Sequence, residues 1–378
     1  MNRTWHANRS MRNPVPALKG VYAPHAAART PTLPRLRHAA TAIAVICATV
    51  IVCGFCAEVA LRFTTIRPRR WGWVGQNPNR PSSNFQPDRY TGWRLWPYRS
   101  IVWAGGKTYR SNSQGFRADS EFASSDPRFK IAFVGDSYTF GYGVSYQETF
   151  PALVEKDSNS RIASWNFGMP AFGVDQIWLS ARHQALPLGP QLLVVGLVDI
   201  DFPRSQVSYR LAEGFNKPVF QLEGGRLVER TVEPPPNPVW RFFDKYSRLW
   251  GAEEIAMRWV GTRFPIGGFW SLNRAFIDAL RDDCRRVGVP VLFIYIPIDT
   301  FHPFPALAAY MRRTGANYID LTEVRPSPPG STYLYLPADG HFSPAGHRYT
   351  ANLVEQWLQT HPGVAAATTA SGPANYRR

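Results

Sequence analysis

Short apolar runs alternate with longer amphipathic stretches along most of the chain after residue 128. Runs of strand length are found at KIAFVG (130–135), IASWNFG (162–168), QLLVVGLV (191–198), PVLFIYIP (290–297) and ANYIDL (316–321). Apolar residues at helical spacing predict helices at 148–157, 173–186, 271–288 and 343–361. The run at 191–198 is continuously apolar, which is typical of a strand buried on both faces of a parallel sheet. Strands that alternate with helices predict an α/β domain with a doubly wound parallel sheet.

The pattern also predicts how the chain is divided. We expect the α/β domain to span residues 129–361, with an insertion at about 202–268 that contains a hairpin at PVFQLEGGRLVER and a helix near WRFFDKYSRLWGAEEIAMRWV. Residues 62–128 are rich in Pro, Arg, Trp and Asn and predict a lead-in segment that packs on the domain. Residues 362–378 are rich in Ala, Thr and Ser and predict a disordered tail.

Residues 39–61 form an apolar run in which Glu58 is the only charged residue. At roughly 1.5 Å per residue, about 23 residues would be about 35 Å long, which is enough to cross a bilayer. The run predicts one transmembrane helix, an uncleaved signal anchor, behind a basic N-terminal tail at 1–38. This tail has no acidic residue, which favours a cytoplasmic N-terminus and an extracytoplasmic, periplasmic position for the large domain. An organelle transit peptide is the alternative.

Charge and cysteine usage argue against several other classes of protein. The net charge is +16, but the basic residues are scattered and form no nucleic-acid signature, so no nucleic-acid partner is expected. Three of the four cysteines lie in the apolar run and the fourth, Cys284, stands alone. This arrangement predicts neither a disulfide framework nor a structural metal site, and we expect no cofactor.

Candidate chemistry lies where predicted strands end. Ser137 follows the strand at 130–135, and the sequence DGH before the last helix supplies Asp339 and His341. A serine becomes a nucleophile when a histidine takes its proton and a carboxylate orients that histidine. Taken singly, Ser137 could be a helix N-cap, His341 a loop residue and Asp339 a turn former. His347, on the following helix, is interpreted as structural.

Several sequence blocks together resemble the SGNH (GDSL-type) hydrolase superfamily, in particular its bacterial membrane-anchored branch. The blocks are YTGWRLWPYRS, YRSNSQGFR, VGDSYTFGYGV, NFGMPAFGVDQ, GLVDIDF and DGHFSPAGHR, and they cover most of residues 88–360. The resemblance implies a three-layer α/β/α fold with a mostly parallel, flavodoxin-like sheet, and hydrolysis of carboxylic esters on carbohydrate or lipid. It also implies that Ser137 is the nucleophile, His341 the base and Asp339 its partner.

Two positions depart from the pattern of that superfamily, and both concern the oxyanion hole. Ala171 stands where the second block has glycine, although its backbone N–H remains available as a donor alongside that of Ser137. Ile200-Asp201 stands where the third block has Asn-Asp, and isoleucine donates no hydrogen bond. An alignment that moves Asp199 to this position does not help, because a carboxylate would repel the oxyanion. We therefore expect weakened activity.

Three functions stay open from the sequence. The first is a membrane-anchored serine ester hydrolase that removes acyl groups, with O-acetyl groups among them. The second is an O-acyltransferase acting on a cell-surface polysaccharide, since Asp339 and His341 are separated by one residue, as in the alginate-acetylation branch. The third is a carbohydrate-binding or assembly protein that keeps the fold, for which thirteen tryptophans could provide sugar stacking. The substrate and the oligomeric state are not encoded in any motif.

Overall fold

The computed structural model describes two units of the chain. The described residues are 33–64, 84–206, 209–210, 215–230, 239, 242–243, 246–249, 252, 256, 267–298, 304–323, 334–337 and 340–364. The first unit ends at Cys56 and the second begins at Ala57. The predicted tail at 1–38 and the predicted disorder at 362–378 fall largely outside the described residues, and the predicted domain boundaries stay predictions.

The helices and strands are numbered here in chain order. The helices are α1 Leu33–Leu61, α2 Ser137–Phe140, α3 Phe150–Asp157, α4 Val174–Ser180, α5 Asp201–Arg204, α6 Gly267–Val287, α7 Pro305–Thr314 and α8 Pro344–Thr360. The strands are β1 Phe85–Asp88, β2 Gly92–Leu95, β3 Ser100–Val102, β4 Thr108–Arg110, β5 Phe129–Val134, β6 Ile162–Asn166, β7 Leu192–Val198, β8 Tyr209–Arg210, β9 Phe215–Asn216, β10 Val219–Glu223, β11 Arg226–Arg230, β12 Val291–Ile296 and β13 Asn317–Asp320.

Helix α1 carries the apolar run. Its portion Ala40–Leu61 is long and apolar enough to cross a membrane. The side chains of Ile43, Val50 and Phe55 along it are exposed, as expected of a helix whose apolar surface faces lipid.

Five parallel strands make the central sheet of the second unit. Their spatial order is β13-β12-β7-β5-β6, and every neighbouring pair is parallel. Numbered in chain order, these strands lie 2-1-3-4-5, which is the flavodoxin-like order of a doubly wound sheet. The predicted α/β class with a parallel, flavodoxin-like sheet is therefore confirmed.

Side chains of alternate residues on each strand enter different apolar layers. Ala132, Val195 and Phe293 pack on one face of the sheet with residues of α4, α6 and α7. Ile131 and Val194 pack on the opposite face with residues of α3 and α8. Because the side chains of a strand alternate between its faces, continuously apolar strands can fill both layers at once. The result is the three-layer α/β/α arrangement.

Within the described part of the chain, four antiparallel strand pairs lie outside the central sheet. They are β1–β2, β3–β4, β8–β9 and β10–β11, and the last of these is the hairpin predicted at 218–230. Trp93 of β2 is fully buried, and its indole N–H donates to the carbonyl of Pro170 at 3.1 Å. Gln176 of α4 donates to the carbonyl of Thr91 at 2.6 Å. These contacts join the segment before β5 to the chain that follows β6.

Candidate active site

Ser137 and His341 meet beyond the carboxyl end of β5. Ser137 is the first residue of α2, three residues after β5 ends at Val134, and His341 lies just before α8. The Ser137 Oγ is 2.8 Å from the His341 Nε2. The two residues are 204 positions apart in the chain and become neighbours because both flank the same edge of the sheet. At this distance the imidazole can accept the hydroxyl proton.

Asp136 holds the turn on which Ser137 stands. Its Oδ1 accepts the backbone N–H of Tyr138 at 2.9 Å and so caps the N-terminus of α2. Its Oδ2 is a second acceptor for the Ser137 hydroxyl, at 3.3 Å. The contact with His341 is shorter by half an ångström, so the hydroxyl proton is better placed for transfer to the imidazole. The structure thus gives Asp136 the local hydrogen-bonding role.

A buried ion cluster lies beneath this turn and was not predicted from the sequence. One guanidinium nitrogen of Arg204 donates to Asp136 Oδ2 at 3.1 Å, to Asp201 Oδ1 at 2.9 Å and to the carbonyl of Phe172 at 3.1 Å. Asp201 also accepts the N–H of Val198 at 2.8 Å. Burial, and after it the neighbouring Asp136 carboxylate, raise the pKa of Asp201 well above its usual value. One cation therefore serves two carboxylates, and a proton is most easily held by Asp201.

The loop that carries His341 is attached to the serine turn. The Tyr138 hydroxyl donates to the carbonyl of Gly340 at 2.7 Å, and the backbone N–H of Leu336 donates to the carbonyl of His341 at 2.6 Å. The imidazole contacts the rings of Tyr138 and Tyr142, with centroid separations of 5.0 and 4.7 Å. The histidine loop is thus held against the segment that begins with α2. Asp339, the predicted orienting carboxylate, lies outside the described residues.

The loop after β6 brings Ala171 to the same side of the sheet. The Asn166 side chain donates to the carbonyl of Thr139 at 3.0 Å and accepts the N–H of Gly168 at 2.9 Å. A Cβ on Gly168 would lie 2.3 Å from the backbone nitrogen of Phe140, so only glycine permits this approach. Ala171 has φ +67, in the left-handed region that favours glycine.

Ile200 lies two residues after the end of β7. It is the residue that precedes α5, it is buried, and it belongs to the apolar layer that contains Val198 and Ile296. A saturated side chain in this place supplies neither a donor nor a charge. The Ile200 side chain therefore supplies no third hydrogen-bond donor, as the sequence indicated.

Arg117 shapes the loop that follows α2. Its guanidinium donates to the carbonyls of Phe140 at 3.0 Å and Val144 at 2.7 Å, and also to that of Gly141. It stacks on the Tyr109 ring at 4.2 Å. Burial lowers the pKa of Arg117 to about 10, so the group stays charged at neutral pH. The block at 109–117 resembled the superfamily in sequence, and the structure shows what it contacts.

His347 does not belong to this site. It is fully buried, and its Nδ1 accepts the backbone N–H of Phe150 at 3.2 Å. Burial is the main cause that lowers its pKa, to about 3. The imidazole is therefore neutral at physiological pH and links α8 to the start of α3, in agreement with the structural role predicted for it.

Comparison with known proteins returned matches among solved structures alone. No protein-family model matches the chain, and no curated protein matches it. A lipase/acylhydrolase from Enterococcus faecalis is 15% identical, with 61% of this chain and 96% of that chain covered and a TM-score of 0.36. An acetyl xylan esterase is 13% identical, with 61% and 99% covered and a TM-score of 0.37.

A third solved structure is a member of the lipolytic protein G-D-S-L family from Veillonella parvula. It is 14% identical, with 59% of this chain and 94% of that chain covered and a TM-score of 0.34. This third structure is named for the G-D-S-L family.

Proposed function

We propose that this protein is a membrane-anchored serine ester hydrolase of the SGNH type, which removes acyl groups such as O-acetyl from a carbohydrate or lipid. The observation that carries the proposal is the 2.8 Å contact between Ser137 Oγ and His341 Nε2 at the carboxyl edge of a parallel sheet. A serine and a histidine at this distance have the geometry of a nucleophile and its base. Ser137 is buried and His341 is half-buried.

The proposed reaction proceeds by two acyl transfers. Ser137 Oγ attacks the ester carbonyl while its proton moves to His341 Nε2, and Asp339 holds the imidazole in the required tautomer. The tetrahedral intermediate collapses, and His341 returns the proton to the departing alkoxide. Water then attacks the acyl-serine and loses a proton to His341. The bond from the carbonyl carbon to Ser137 Oγ breaks, His341 returns the proton to Oγ, and the carboxylic acid leaves. Proton transfer and electrostatics suffice for these steps, so no metal or organic cofactor takes part.

The oxyanion in this mechanism is stabilised by two backbone donors, the N–H groups of Ser137 and Ala171. Each donor in such a hole contributes about 10²–10³-fold in turnover. Because Ile200 leaves the place of a third donor apolar, we expect this enzyme to be slower than a hydrolase that carries Asn there. A rate reduced by this factor is still far above the uncatalysed rate.

The spacing of Asp339 and His341 favours a second function, transfer of the acyl group to a hydroxyl of a cell-surface polysaccharide. The acyl-serine is common to both functions, and only the acceptor differs. Turnover of an acetylated chromogenic ester, measured with and without an oligosaccharide acceptor, separates them. Acylated oligosaccharide in the product identifies transfer, and free acetate alone identifies hydrolysis. If neither forms, the carbohydrate-binding or assembly function that Ile200 suggested is favoured.

For its location, we propose that α1 anchors the protein as a single-pass helix. The N-terminal tail would be cytoplasmic, and the catalytic domain would lie on the extracytoplasmic, periplasmic side. The basic, acid-free sequence before the apolar run supports this orientation. Acylated surface carbohydrate or lipid is then within reach of the site.

Labelling by a fluorophosphonate probe tests the proposed nucleophile and base together. We expect the probe to modify Ser137 in the full-length protein, to fail with Ser137→Ala, and to react at least about 10²-fold more slowly with His341→Ala. The exposed residues Ser100 and His361 give the control variants Ser100→Ala and His361→Ala, which should label as the wild type does. A folded wild-type protein that takes up no probe contradicts the hydrolase proposal.

A further inference from the structure

Part of the insertion presents an apolar stripe to solvent. The helical residues Val239, Phe242, Phe243 and Tyr246 are 60, 58, 42 and 47% exposed. Their spacing of i, i+3, i+4 and i+7 places them on one face of a helix. Phe242 contacts the rings of Phe243 and Tyr246, with centroids 5.9 and 5.0 Å apart. We call these four residues the apolar stripe. A helix of a water-soluble domain normally turns such a face inward, so its exposure indicates a lipid or protein contact.

The chain next to the stripe is bonded to the last turn of the apolar helix α1. The Glu58 carboxylate accepts the Ser247 hydroxyl at 2.9 Å and the backbone N–H groups of Arg248 and Leu249 at 2.9 and 3.0 Å. These three bonds use a side chain that sits three residues before the end of the span Ala40–Leu61. The segment after the stripe is therefore fixed beside the point where α1 ends.

The Arg248 side chain adds further hydrogen bonds between the same two segments. Its guanidinium donates to the carbonyls of Leu61, Arg62 and Thr64, at 3.1, 3.1 and 3.2 Å. These carbonyls lie at the last residue of α1 and in the turn that follows it. One side chain thus terminates the apolar helix and holds the insertion to it.

Further exposed apolar residues lie at this junction. Phe63, two residues beyond α1, is 88% exposed, and Leu249 is 43% exposed. The side chain of Arg62 is also largely exposed. In the sequence, Arg241 and Lys245 occur between the positions of the stripe. Aromatic residues mixed with basic ones at the end of a membrane span are typical of the interfacial layer, where rings enter the acyl boundary and cations meet anionic headgroups.

We propose that the apolar stripe lies in the interfacial layer of the membrane that α1 crosses, on the side where α1 ends. The partner is an anionic phospholipid surface. The inference rests on the proposed membrane anchor, and it adds a second contact with the lipid, 178 residues or more along the chain from Leu61. Two contacts restrict rotation of the domain about the anchor and keep the site at a fixed height above the bilayer. Substrates held in or near the membrane surface would be favoured accordingly.

The test is photocrosslinking of the full-length protein in nanodiscs of phosphatidylethanolamine and phosphatidylglycerol that contain a clickable phospholipid. A photoreactive p-benzoylphenylalanine replaces one exposed residue at a time. Position 242 reports on the stripe, position 50 in α1 reports on the anchor, and position 102 in β3 is a matched exposed control, since Val102 is 74% exposed. Thermal unfolding of each variant should match the wild type, which establishes that the probe has not disrupted folding.

We expect lipid adducts at positions 50 and 242 to exceed those at position 102 by at least about fivefold, as required of a face buried in the acyl boundary. Adducts at position 50, with position 242 no higher than position 102, would overturn the stripe inference and leave the anchor intact. If adducts at positions 50 and 242 are both no higher than those at position 102, the stripe inference and the proposed membrane anchor are both overturned. Replacing phosphatidylglycerol by phosphatidylcholine should lower the adducts at position 242 while leaving those at position 50 unchanged.

Discussion

Ile200 is the residue at which the chemistry of this site departs most from the pattern that its sequence resembles. Its neighbours in the apolar layer include Val198 and Ile296, and the next residue, Asp201, is occupied by Arg204 and the N–H of Val198. Neither side chain carries an amide N–H that could donate to the oxyanion. In the proposed reaction the backbone N–H groups of Ser137 and Ala171 would then stabilise the oxyanion unaided, and turnover should be lower for that reason.

Restoring the amide should accelerate the enzyme. We expect Ile200→Asn to raise turnover of a small acetyl ester by about tenfold to a hundredfold, below the full value of a donor because a buried amide must also be desolvated. Ile200→Leu is the control and should leave turnover near wild type. The measurement is kcat on a chromogenic acetate ester. Unchanged or lower turnover in the Asn variant would mean that the hole is built without this position.

Ala171 adopts φ +67, a conformation that costs an alanine about 1–2 kcal/mol. Ala171→Gly removes this cost but increases the entropy of the unfolded chain by about 0.4–1 kcal/mol, so a net stabilisation of up to about 1 kcal/mol is expected. Ala163→Gly, in the extended strand β6, should instead lose about 0.5–1 kcal/mol. Chemical unfolding in detergent, followed by tryptophan fluorescence, compares the two. Equal losses in both variants would contradict the strain at Ala171.

At the scale of elements, α3 and α8 are joined through one buried imidazole. His347 of α8 accepts the first backbone N–H of α3, from Phe150, and Phe150 stacks on the imidazole with centroids 5.8 Å apart. No water replaces this acceptor when the histidine is fully buried, so the bond requires a neutral ring. The contact between the two helices thereby becomes sensitive to pH.

The sign of that sensitivity follows from the depressed pKa. The folded protein holds His347 neutral down to about pH 3, whereas the unfolded chain takes up the proton near pH 6.5. Stability from this group is complete above pH 6.5 and is lost as pH falls toward 3. Between pH 7 and pH 5 the loss is about 2 kcal/mol.

The variant His347→Asn keeps an acceptor for the Phe150 N–H and cannot titrate. It should therefore be about 2 kcal/mol less sensitive than the wild type to a change from pH 7 to pH 5, measured by denaturant unfolding at both values. His361 is exposed on the end of α8, and His361→Asn should follow the wild-type curve. Identical pH curves for His347→Asn and the wild type would show that the buried imidazole is not the titrating group.

At the scale of the whole molecule, the proposed orientation places the second unit outside the cytoplasm. Val102 is exposed in that unit, while the native cysteines lie in α1 or, for Cys284, in the buried core. In intact bacterial spheroplasts we expect a membrane-impermeant maleimide to label Val102→Cys strongly and the wild type weakly. If Val102→Cys is labelled only after lysis, the proposed orientation is wrong and the second unit lies in the cytoplasm. Lysed cells of both strains provide the control for total reactivity.

Local pattern was sufficient to predict the main elements of the fold. The apolar runs correspond to β5, β6, β7, β12 and β13, and the helix predicted at 343–361 corresponds to α8, which Ser343 caps. The helix predicted at 173–186 is less regular than expected, since α4 ends at Ser180 and continues as a π-helical turn, Ala181–Ala185, and a 3-10 turn. Helix α7 was not predicted; it is only ten residues long, and its start follows a region dense in proline.

By itself, the sequence determined the order of strands and helices, the apolar span at 39–61 and the residue types from which a serine site could be built. These follow from hydrophobic periodicity and local turn chemistry, which act between residues a few positions apart. The tertiary structure alone decided that Ser137 and His341 lie 2.8 Å apart, that Arg204 serves Asp136 and Asp201, and that Glu58 is bonded to Arg248. These side-chain contacts depend on which residues the folded sheet brings close together. No spacing in the sequence encodes that proximity.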